Sequence, residues 1–252
     1  MSGIVVIFDF DNTIIDIDSD NWVVDELGAT DQFNQLLPTM PWNSLMDDGG
    51  IAFTRFAKVH TNCFRCDLRV VSDANTLFIE TVLKHLGILE CFSEINTNPC
   101  FIDEEGRLRI LPYHDSHKSP HGCTLCPSNM CNSVRIQSTF TREEKKTIIY
   151  LGDGAGDFCP SLKLVEGDYM MPRKDFPVWD LICKNRHLVK SEIHEWSSGE
   201  DFERILLHLT TSAISMKDMK NNVDNTSTSH SFDCKFENIA LEALRKPLYV
   251  PH

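Results

Sequence analysis

The chain has 252 residues, of which 42% are hydrophobic and 24% charged, and its formal net charge is −13. This composition is typical of a globular protein, and it excludes collagen, a long coiled coil and disorder throughout. No apolar run approaches the roughly 20 residues that cross a membrane, and the amino terminus lacks the features of a signal peptide. We therefore expect a soluble, cytoplasmic protein. Because no basic stripe offsets the acidic residues, neither nucleic acid nor a membrane is expected as a partner.

Short apolar runs rich in β-branched residues alternate with helical patterns along the chain. The strongest runs predict strands buried on both faces, at residues 4–8, 68–71 and 147–151. Weaker runs predict strands at 92–95 and 168–171. Apolar spacing predicts helices at 76–86, 160–165, 178–183 and 201–209. This alternation indicates an α/β fold with a doubly wound, Rossmann-like parallel sheet.

Three stretches depart from the alternation. Residues 19–67 exceed what one crossover helix needs, and we interpret them as a small, shortened helical cap inserted into a core of residues 1–18 and 68–209. Within 96–133, apolar segments flank Asp103-Glu104-Glu105-Gly106, which predicts a hairpin. The tail, 210–252, contains a segment rich in Asn, Ser and Thr and is expected to be partly disordered.

Polar residues follow each strong strand: Asp9, Asp11, Ser72, Asp73, Asp153 and Asp157. Ligands of parallel sheets bind beyond the carboxyl ends of the strands, so we expect these side chains to form one site. An unpaired buried carboxylate costs several kcal/mol, so the group needs a cation or a hydrogen-bond network. Mg²⁺ prefers oxygen ligands and usually takes one or two carboxylates plus substrate phosphate. A structural acidic cluster, or a metal site without catalysis, is the alternative interpretation.

These motifs also resemble those of a known enzyme superfamily. Asp9-Phe10-Asp11-Asn12-Thr13, a strand ending in Ser72, and Gly152-Asp153-Gly154-Ala155-Gly156-Asp157 resemble the haloacid dehalogenase superfamily. The segments Val71-Ser72-Asp73-Ala74-Asn75 and Cys126-Pro127-Ser128-Asn129-Met130-Cys131 are similar to its phosphoethanolamine and phosphocholine phosphatase branch. That branch includes plant pyrophosphatase-like and thiamine-phosphate-phosphatase-like proteins. The resemblance covers residues 4–46, 67–130 and 145–196.

The resemblance implies a Mg²⁺-dependent phosphatase whose partner is a small phosphorylated metabolite. Phosphoethanolamine, phosphocholine, thiamine phosphate, pyridoxal phosphate and pyrophosphate all remain open as the substrate. Asp9 would attack phosphorus and form an aspartyl-phosphate, and Asp11 would act as general acid and then as base. The resemblance also implies that Mg²⁺ is bound by Asp9, the backbone carbonyl of Asp11, Asp153 and Asp157. Ser72 would bind a phosphoryl oxygen, and Asp20 and Asp73 would contact the substrate. Acidic side chains at the last two positions suit a cationic alcohol.

The chain departs from the pattern of this branch in two places. The branch has a lysine after the Cys of its Asn-Met-Cys motif, whereas Asn132 stands there in this chain. Either Lys118 or Lys145 supplies the missing charge, or the site lacks it. The segment Asp47-Asp48-Gly49-Gly50 does not resemble a helical cap. The alternative is therefore a catalytically impaired paralogue that binds Mg²⁺ and phosphorylated ligands without efficient turnover. A phosphoacceptor signalling domain does not fit, since its phosphoacceptor aspartate would follow a later strand.

The ten cysteines are expected to stay reduced in the cytosol. Cys123, Cys126 and Cys131 have partial zinc-ligand spacing. Packing of reduced thiols beneath the hairpin is nevertheless the interpretation that the sequence favours, because no second Cys-x-x-Cys completes a regular set. The pair Cys63-x-x-Cys66 lies in the anomalous cap segment and is not counted.

Overall fold

The computed structural model describes residues 3–19, 66–105, 108–114, 121–126, 129–133 and 146–224, with side chains up to residue 214. Residues Met1–Lys217 form one compact unit. A second unit, Asp218–His252, is described only as far as Asp224, within a helix. The predicted cap lies almost entirely outside the described residues, so its size and helical content stay predictions.

Eight strands form two sheets in the described part of the chain. The large sheet contains β1 (Ile4–Phe8), β2 (Asp67–Asn75), β3 (Phe92–Asn98), β6 (Thr147–Gly152), β7 (Tyr169–Pro172) and β8 (Glu192–Ile193). The small sheet is an antiparallel hairpin of β4 (Cys100–Ile102) and β5 (Leu108–Ile110). This pairing confirms the predicted hairpin.

Four α-helices connect or flank the strands: α1 (Thr76–His85), α2 (Phe158–Ser161), α3 (Pro177–Lys184) and α4 (Gly199–Asp224). Three short 3₁₀ turns complete the described elements: Leu89–Cys91, Ala155–Asp157 and Arg186–Leu188. Helix α1 begins where the Asn75 side chain accepts a hydrogen bond from the backbone N–H of Phe78. It is followed by Gly87 at φ +64°, a conformation that favours glycine. None of the described helices is long and apolar enough to cross a membrane.

The large sheet has the order β3-β2-β1-β6-β7-β8, and every neighbouring pair is parallel. The chain builds outward in one direction from β1 to β3, and in the other direction from β6 to β8. The order therefore reverses between β1 and β6. This arrangement confirms the predicted doubly wound α/β fold, and the carboxyl ends of these two strands are where such folds bind ligands.

The core lies on both faces of the sheet because the strands are apolar on both faces. In β1, Ile4, Val6 and Phe8 belong to one hydrophobic cluster, and Val5 and Ile7 belong to the other. This split follows from the two-residue period of a strand. Residues of α1 and α4 pack in the first cluster, and residues of α3 pack in the second. Helices therefore cover both faces, as buried parallel strands require.

Two predicted helices differ from the structure in their extent. The helix predicted at 160–165 is wrong in extent: α2 begins at Phe158, directly after a 3₁₀ turn, and ends at Ser161. The helix predicted at 201–209 continues to Asp224, so the boundary predicted at 209 lies inside α4. Continuation is favoured because Leu206, Leu209 and Ala213 share one buried stripe at helical spacing. The short edge strand β8 was not predicted, since two residues carry no periodic signal.

Candidate active site

Asp9 is placed at the switch point of the sheet by β1 and by the turn that follows it. Its backbone N–H donates to the carbonyl of Leu151, 2.9 Å away, which extends the pairing with β6 one residue beyond the strand. The chain then turns, with Ile14 N–H donating to the carbonyl of Phe10 at 2.9 Å. Phe10 and Ile14 are fully buried and fix this turn to the core. Asp9 is thus a rigidly held, buried carboxylate at the carboxyl end of the central strand.

Asp153 and Asp157 are placed by the turn after β6, the neighbouring strand. The carboxylate of Asp157 accepts hydrogen bonds from the Tyr150 hydroxyl at 2.6 Å and from Gly154 N–H at 2.9 Å. The carbonyl of Asp153 accepts from Val178 N–H at 2.9 Å, at the start of α3. A Cβ on Gly152 would lie only 2.3 Å from Cγ of Asp157, so this close approach requires glycine.

The predicted convergence of aspartates is found for these three side chains. Asp9, Asp153 and Asp157 are buried, and one carboxylate oxygen of each lies within 4.8 Å of the others. We call them the acid triplet. In an octahedral magnesium site, Mg–O distances of about 2.0–2.1 Å place neighbouring oxygens about 3 Å apart and opposite oxygens about 4 Å apart. The triplet therefore fits the ligand set of a hard divalent cation.

Burial and mutual repulsion disfavour three ionised carboxylates in the triplet, and the pKa of each is raised. Burial raises the pKa of Asp9 well above its ordinary value, and the charges of Asp157 and Asp153 raise it further. Burial and the charge of Asp157 raise the pKa of Asp153 to about 7, although Arg173 opposes this. Burial raises the pKa of Asp157 to about 6, against the hydrogen bonds from Tyr150 and Gly154. A bound cation would offset this repulsion.

Asp11 lies beside the triplet but outside it. Its carboxylate accepts two hydrogen bonds from Ser19, from the backbone N–H at 3.0 Å and from the hydroxyl at 3.2 Å. The side chain is half-buried and does not belong to the group that could share an ion. Its position suits a group that exchanges protons, which needs both a fixed orientation and access to water.

The structure brings Ser72 to the site at the end of β2. Ser72 is fully buried, and its side chain hydrogen-bonds Asp9, which lowers the pKa of that carboxyl. Asp73, the next residue, is exposed. Both lie within the last part of β2 rather than after it, because the strand continues to Asn75. Asp20, the other predicted substrate contact, lies outside the described residues.

Several residues of the site were assigned no role from the sequence, although Thr13 belongs to the first motif. Thr13 donates from its hydroxyl to Asp153 at 3.4 Å. The guanidinium of Arg173 donates to the carbonyl of Asn12 at 2.6 Å and pairs with Asp16 at 2.8 Å. This contact crosses the switch point, and Asn12 there has a φ of +50°. The hydroxyl of Tyr150 has no motif of its own, since it lies inside an apolar strand.

Asn132, which stands where the related branch has lysine, lies at the acid triplet. It is buried, and its side chain hydrogen-bonds both Asp157 and Tyr150, lowering the pKa of each against the effect of burial. Lys146 cannot replace the lysine, because it pairs with Asp67 at the opposite end of the sheet, 3.4 Å away. Lys118 and Lys145 lie outside the described residues. Position 132, where the resembled branch has a lysine, therefore carries the neutral amide of Asn132.

Two solved structures share this fold. A substrate-bound phosphoserine phosphatase has a TM-score of 0.50 and 13% sequence identity, covering 82% of this chain and 98% of that one. A haloacid dehalogenase-family hydrolase from Salmonella enterica has a TM-score of 0.50 and 15% identity, covering 81% of this chain and 70% of that one. At these identities the likeness shows the fold alone. With the acid triplet at its switch point, the chain is a doubly wound α/β protein with a buried acidic site beyond its central strands.

The sequence profile of the family described as "Putative Phosphatase" matches residues 4–49 and 50–210. The chain therefore belongs to this family of the haloacid dehalogenase superfamily, and the relatives named below make it a phosphoric monoester hydrolase. The two matched segments meet between Gly49 and Gly50, inside the segment that the sequence predicts as a shortened cap.

Relatives with assigned names are similar over most of the chain. "Inorganic pyrophosphatase 2" of Arabidopsis thaliana is 51% identical, covering 99% of this chain and 97% of the relative. "Thiamine phosphate phosphatase-like protein" of the same plant is 45% identical, covering 86% of this chain and all of the relative. Mouse "Pyridoxal phosphate phosphatase PHOSPHO2" is 29% identical, covering 82% of this chain and 97% of the relative. These comparisons confirm the family resemblance predicted from the motifs.

Proposed function

We propose that the chain is a Mg²⁺-dependent phosphatase that hydrolyses a small phosphomonoester or pyrophosphate through an aspartyl-phosphate on Asp9. The observation that carries this proposal is the acid triplet at the switch point of the sheet, with Asp9 at the end of the central strand. A carboxylate buried among two others is costly for stability alone, and its pKa reflects that cost. A phosphoryl-transfer site explains why three carboxylates are buried together, because it uses one as nucleophile and binds a cation with the group.

In this mechanism Asp9 is the nucleophile. Its carboxylate oxygen forms a bond to phosphorus while the bond from phosphorus to the leaving oxygen breaks, and Asp11 donates a proton to that oxygen. Asp11 then accepts a proton from water, which attacks phosphorus and releases phosphate from Asp9. The two hydrogen bonds from Ser19 hold the Asp11 carboxylate in a fixed orientation for this exchange. Ser72, already hydrogen-bonded to Asp9, would donate to a phosphoryl oxygen.

The triplet would hold the magnesium ion through Asp9 and Asp153, with Asp157 as third carboxylate, and the ion would neutralise charge on the transferring phosphoryl group when bound. Tyr150 and Gly154 fix Asp157 by donating to its two oxygens. Thr13 donates to one oxygen of Asp153. These contacts preorganise the carboxylates, so that little rearrangement is needed when substrate arrives.

Pyrophosphate is the substrate to test first, because two relatives at 51% identity are named as inorganic pyrophosphatases. Thiamine phosphate and pyridoxal phosphate follow from the names of other relatives. Phosphoethanolamine and phosphocholine complete the panel, since the sequence predicts acidic side chains at the substrate positions. The protein would act on the free metabolite in the cytoplasm.

A second candidate is a chain that binds Mg²⁺ and phosphorylated ligands without efficient turnover. The observation that favours it is Asn132, which brings a neutral amide to Asp157 where the branch has a lysine. Loss of one charged contact to the transferring group reduces rates by about 10²–10³.

The experiment is phosphate release by the purified full chain over the substrate panel, with and without Mg²⁺, with Asp9→Asn as the blank. We expect turnover that requires Mg²⁺ and that Asp9→Asn abolishes while its far-ultraviolet circular dichroism stays unchanged. Turnover that survives in Asp9→Asn contradicts the aspartyl-phosphate mechanism. No turnover above the blank from folded chain whose melting temperature rises with Mg²⁺ supports the second candidate.

A further inference from the structure

A second cluster of metal-binding side chains lies outside the acid triplet and has no part in the proposed chemistry. The sulfur atoms of Cys123, Cys126, Cys131 and Cys159 all lie within 4.8 Å of one another. We call these residues the thiol cluster. Cys131 and Cys159 are buried, whereas Cys123 and Cys126 are half-buried. Only three of them lie at short spacing in the sequence. The interpretation as packed, reduced thiols was therefore based on three of the four cysteines.

The missing fourth residue is Cys159, which the fold brings from a distant part of the chain. It lies in α2, directly after the turn that carries Asp157. Its sulfur is 3.4 Å from that of Cys123 and 3.9 Å from that of Cys131. Spacing could not reveal it, because ligand motifs are recognised by short intervals and Cys159 follows Cys131 by 28 residues.

The distances match a tetrahedral site. Zinc bound by four thiolates at about 2.3 Å places the sulfur atoms about 3.8 Å apart. Distances of 3.4 and 3.9 Å in the cluster bracket that value. A disulfide would instead need one pair at about 2.05 Å and would leave the other two thiols without a common partner. One centre that contacts all four sulfurs accounts for the whole cluster.

The surroundings of the cluster suit thiolates better than an apolar core. The backbone N–H of Leu125 donates to the sulfur of Cys123 at 3.4 Å, and such N–H···S contacts stabilise a coordinating thiolate. Ser133 hydrogen-bonds the sulfur of Cys131 at 3.1 Å. The cavity at the cluster is lined by Lys163 as well as by Cys123, Cys131 and Cys159. A lysine there offsets the net negative charge of a zinc ion bound by four thiolates.

We propose that Cys123, Cys126, Cys131 and Cys159 bind one structural zinc ion. Four protein ligands close the tetrahedral shell, so the ion has no open position for catalysis. Binding releases the thiol protons and joins the loop that contains residues 121–126 and 129–133 to α2. Since Asn132 follows Cys131 and Asp157 precedes Cys159 by two residues, the ion would fix the contact between Asn132 and the acid triplet. Zinc binding by the thiol cluster does not require phosphatase activity.

The first test uses the full wild-type chain, expressed with zinc in the medium and purified under reducing conditions without a chelator. We expect about one zinc per chain by elemental analysis. X-ray absorption at the zinc edge should show four sulfur neighbours at about 2.3 Å. Titration with a thiol-specific mercurial should release the zinc as the thiols of the cluster react. These measurements need no variant, so they stay informative if a substitution prevents folding.

The second test compares two single substitutions. Cys159→Ser should lower the zinc content at least about fivefold and lower the melting temperature, because it removes one of four ligands. Cys183→Ser is the matched control, since Cys183 is exposed, lies on α3 and is not in the cluster. It should keep the zinc content and melting temperature of the wild-type chain.

The proposal is overturned if the reduced wild-type chain takes up no zinc, or if the bound zinc has oxygen neighbours, which would indicate binding at the acid triplet. It is also overturned if the cluster binds iron in place of zinc, or if it contains disulfides in freshly purified protein. Retention of zinc by Cys159→Ser at the wild-type level would overturn it as well.

Discussion

At the residue scale, Gly152 sets how closely the turn after β6 can approach the strand. Its missing side chain leaves room for the Asp157 carboxylate, which would otherwise lie 2.3 Å from a Cβ. Because Asp157 is held by Tyr150 and Gly154, it cannot move without losing one of these hydrogen bonds. The glycine therefore determines the geometry of the acid triplet, although it contributes no ligand.

We expect Gly152→Ala to displace Asp157, to lower the free energy of unfolding by about 1–3 kcal/mol, and to abolish stabilisation by Mg²⁺. Urea unfolding with and without Mg²⁺ measures both effects. Gly156→Ala is the matched control, because no atom lies within 4 Å of its added Cβ, and its unfolding free energy should change by less than about 0.5 kcal/mol. A Mg²⁺ response in Gly152→Ala equal to that of the control would contradict this account.

Asn132 is a residue at which the chain differs in charge from the enzyme branch that its motifs resemble. A lysine there would place a cation against Asp157 and lower the pKa of that carboxyl below its present value of about 6. It would also contact the transferring phosphoryl group, as the family resemblance implies.

We expect Asn132→Lys to raise kcat/KM for the best substrate by about 10²-fold. Asn132→Met is the control, because methionine has a similar length without the charge, and it should give no gain. Equal activities of the lysine and methionine variants would show that charge at this position is not what limits the reaction. Steady-state phosphate release at saturating Mg²⁺ makes the comparison.

At the element scale, Arg173 joins the two halves of the sheet beyond its carboxyl edge. It follows β7, yet its guanidinium binds the loop after β1 through Asn12 and Asp16. The guanidinium also lies over the rings of Phe176 and Trp196, at 4.4 and 5.0 Å from their centroids. Such stacking fixes the cation where it lowers the pKa of Asp153.

We expect Arg173→Met to raise the pKa of Asp153 further above about 7, and so to shift the acidic limb of the pH–rate profile to higher pH. It should also lower the unfolding free energy by about 3 kcal/mol, because Asp16 is left without its partner. Arg173→Lys separates the two roles. It keeps the charge, so the acidic limb should stay in place while stability falls. A shift of the limb in both variants would exclude the charge as its cause.

The sequence predicted those elements that carry a periodic or local signal. The three runs predicted as buried strands, the two weaker strand candidates and the helix α1 have such a signal, and the structure confirms them. Asp9, Asp153 and Asp157 were found because each follows a predicted strand. Arg173 and Asn12 are 161 residues apart, and nothing local indicates their contact. Cys159 was missed for the same reason, since pairing over long separations depends on the fold.

At the scale of the whole molecule, the acid triplet makes stability depend on pH in a defined direction. The pKa of Asp153 is raised from 3.8 to about 7 and that of Asp157 from 3.8 to about 6, so the folded chain retains protons that the unfolded chain releases. The folded state therefore binds more protons between pH 3.8 and about pH 7, and the free energy of unfolding falls as pH rises through this window. Asp67 contributes to the pH dependence with the opposite sign. Hydrogen bonds from Arg69 and Ser93 outweigh the effect of burial on its carboxyl and lower its pKa.

Magnesium should reverse the effect of the triplet, because the ion binds ionised carboxylates of the folded state only. We expect the melting temperature of the metal-free chain to fall between about pH 4 and about pH 7, and the increase caused by Mg²⁺ to grow over the same range. Thermal melts without Mg²⁺ and with saturating Mg²⁺ measure both trends. Asp153→Asn removes one titrating group and one ligand. It should melt higher than wild-type chain at about pH 8 without Mg²⁺ and gain less from the ion. An Asp153→Asn chain that melts lower than wild type in metal-free buffer at that pH would show that repulsion within the triplet does not limit stability.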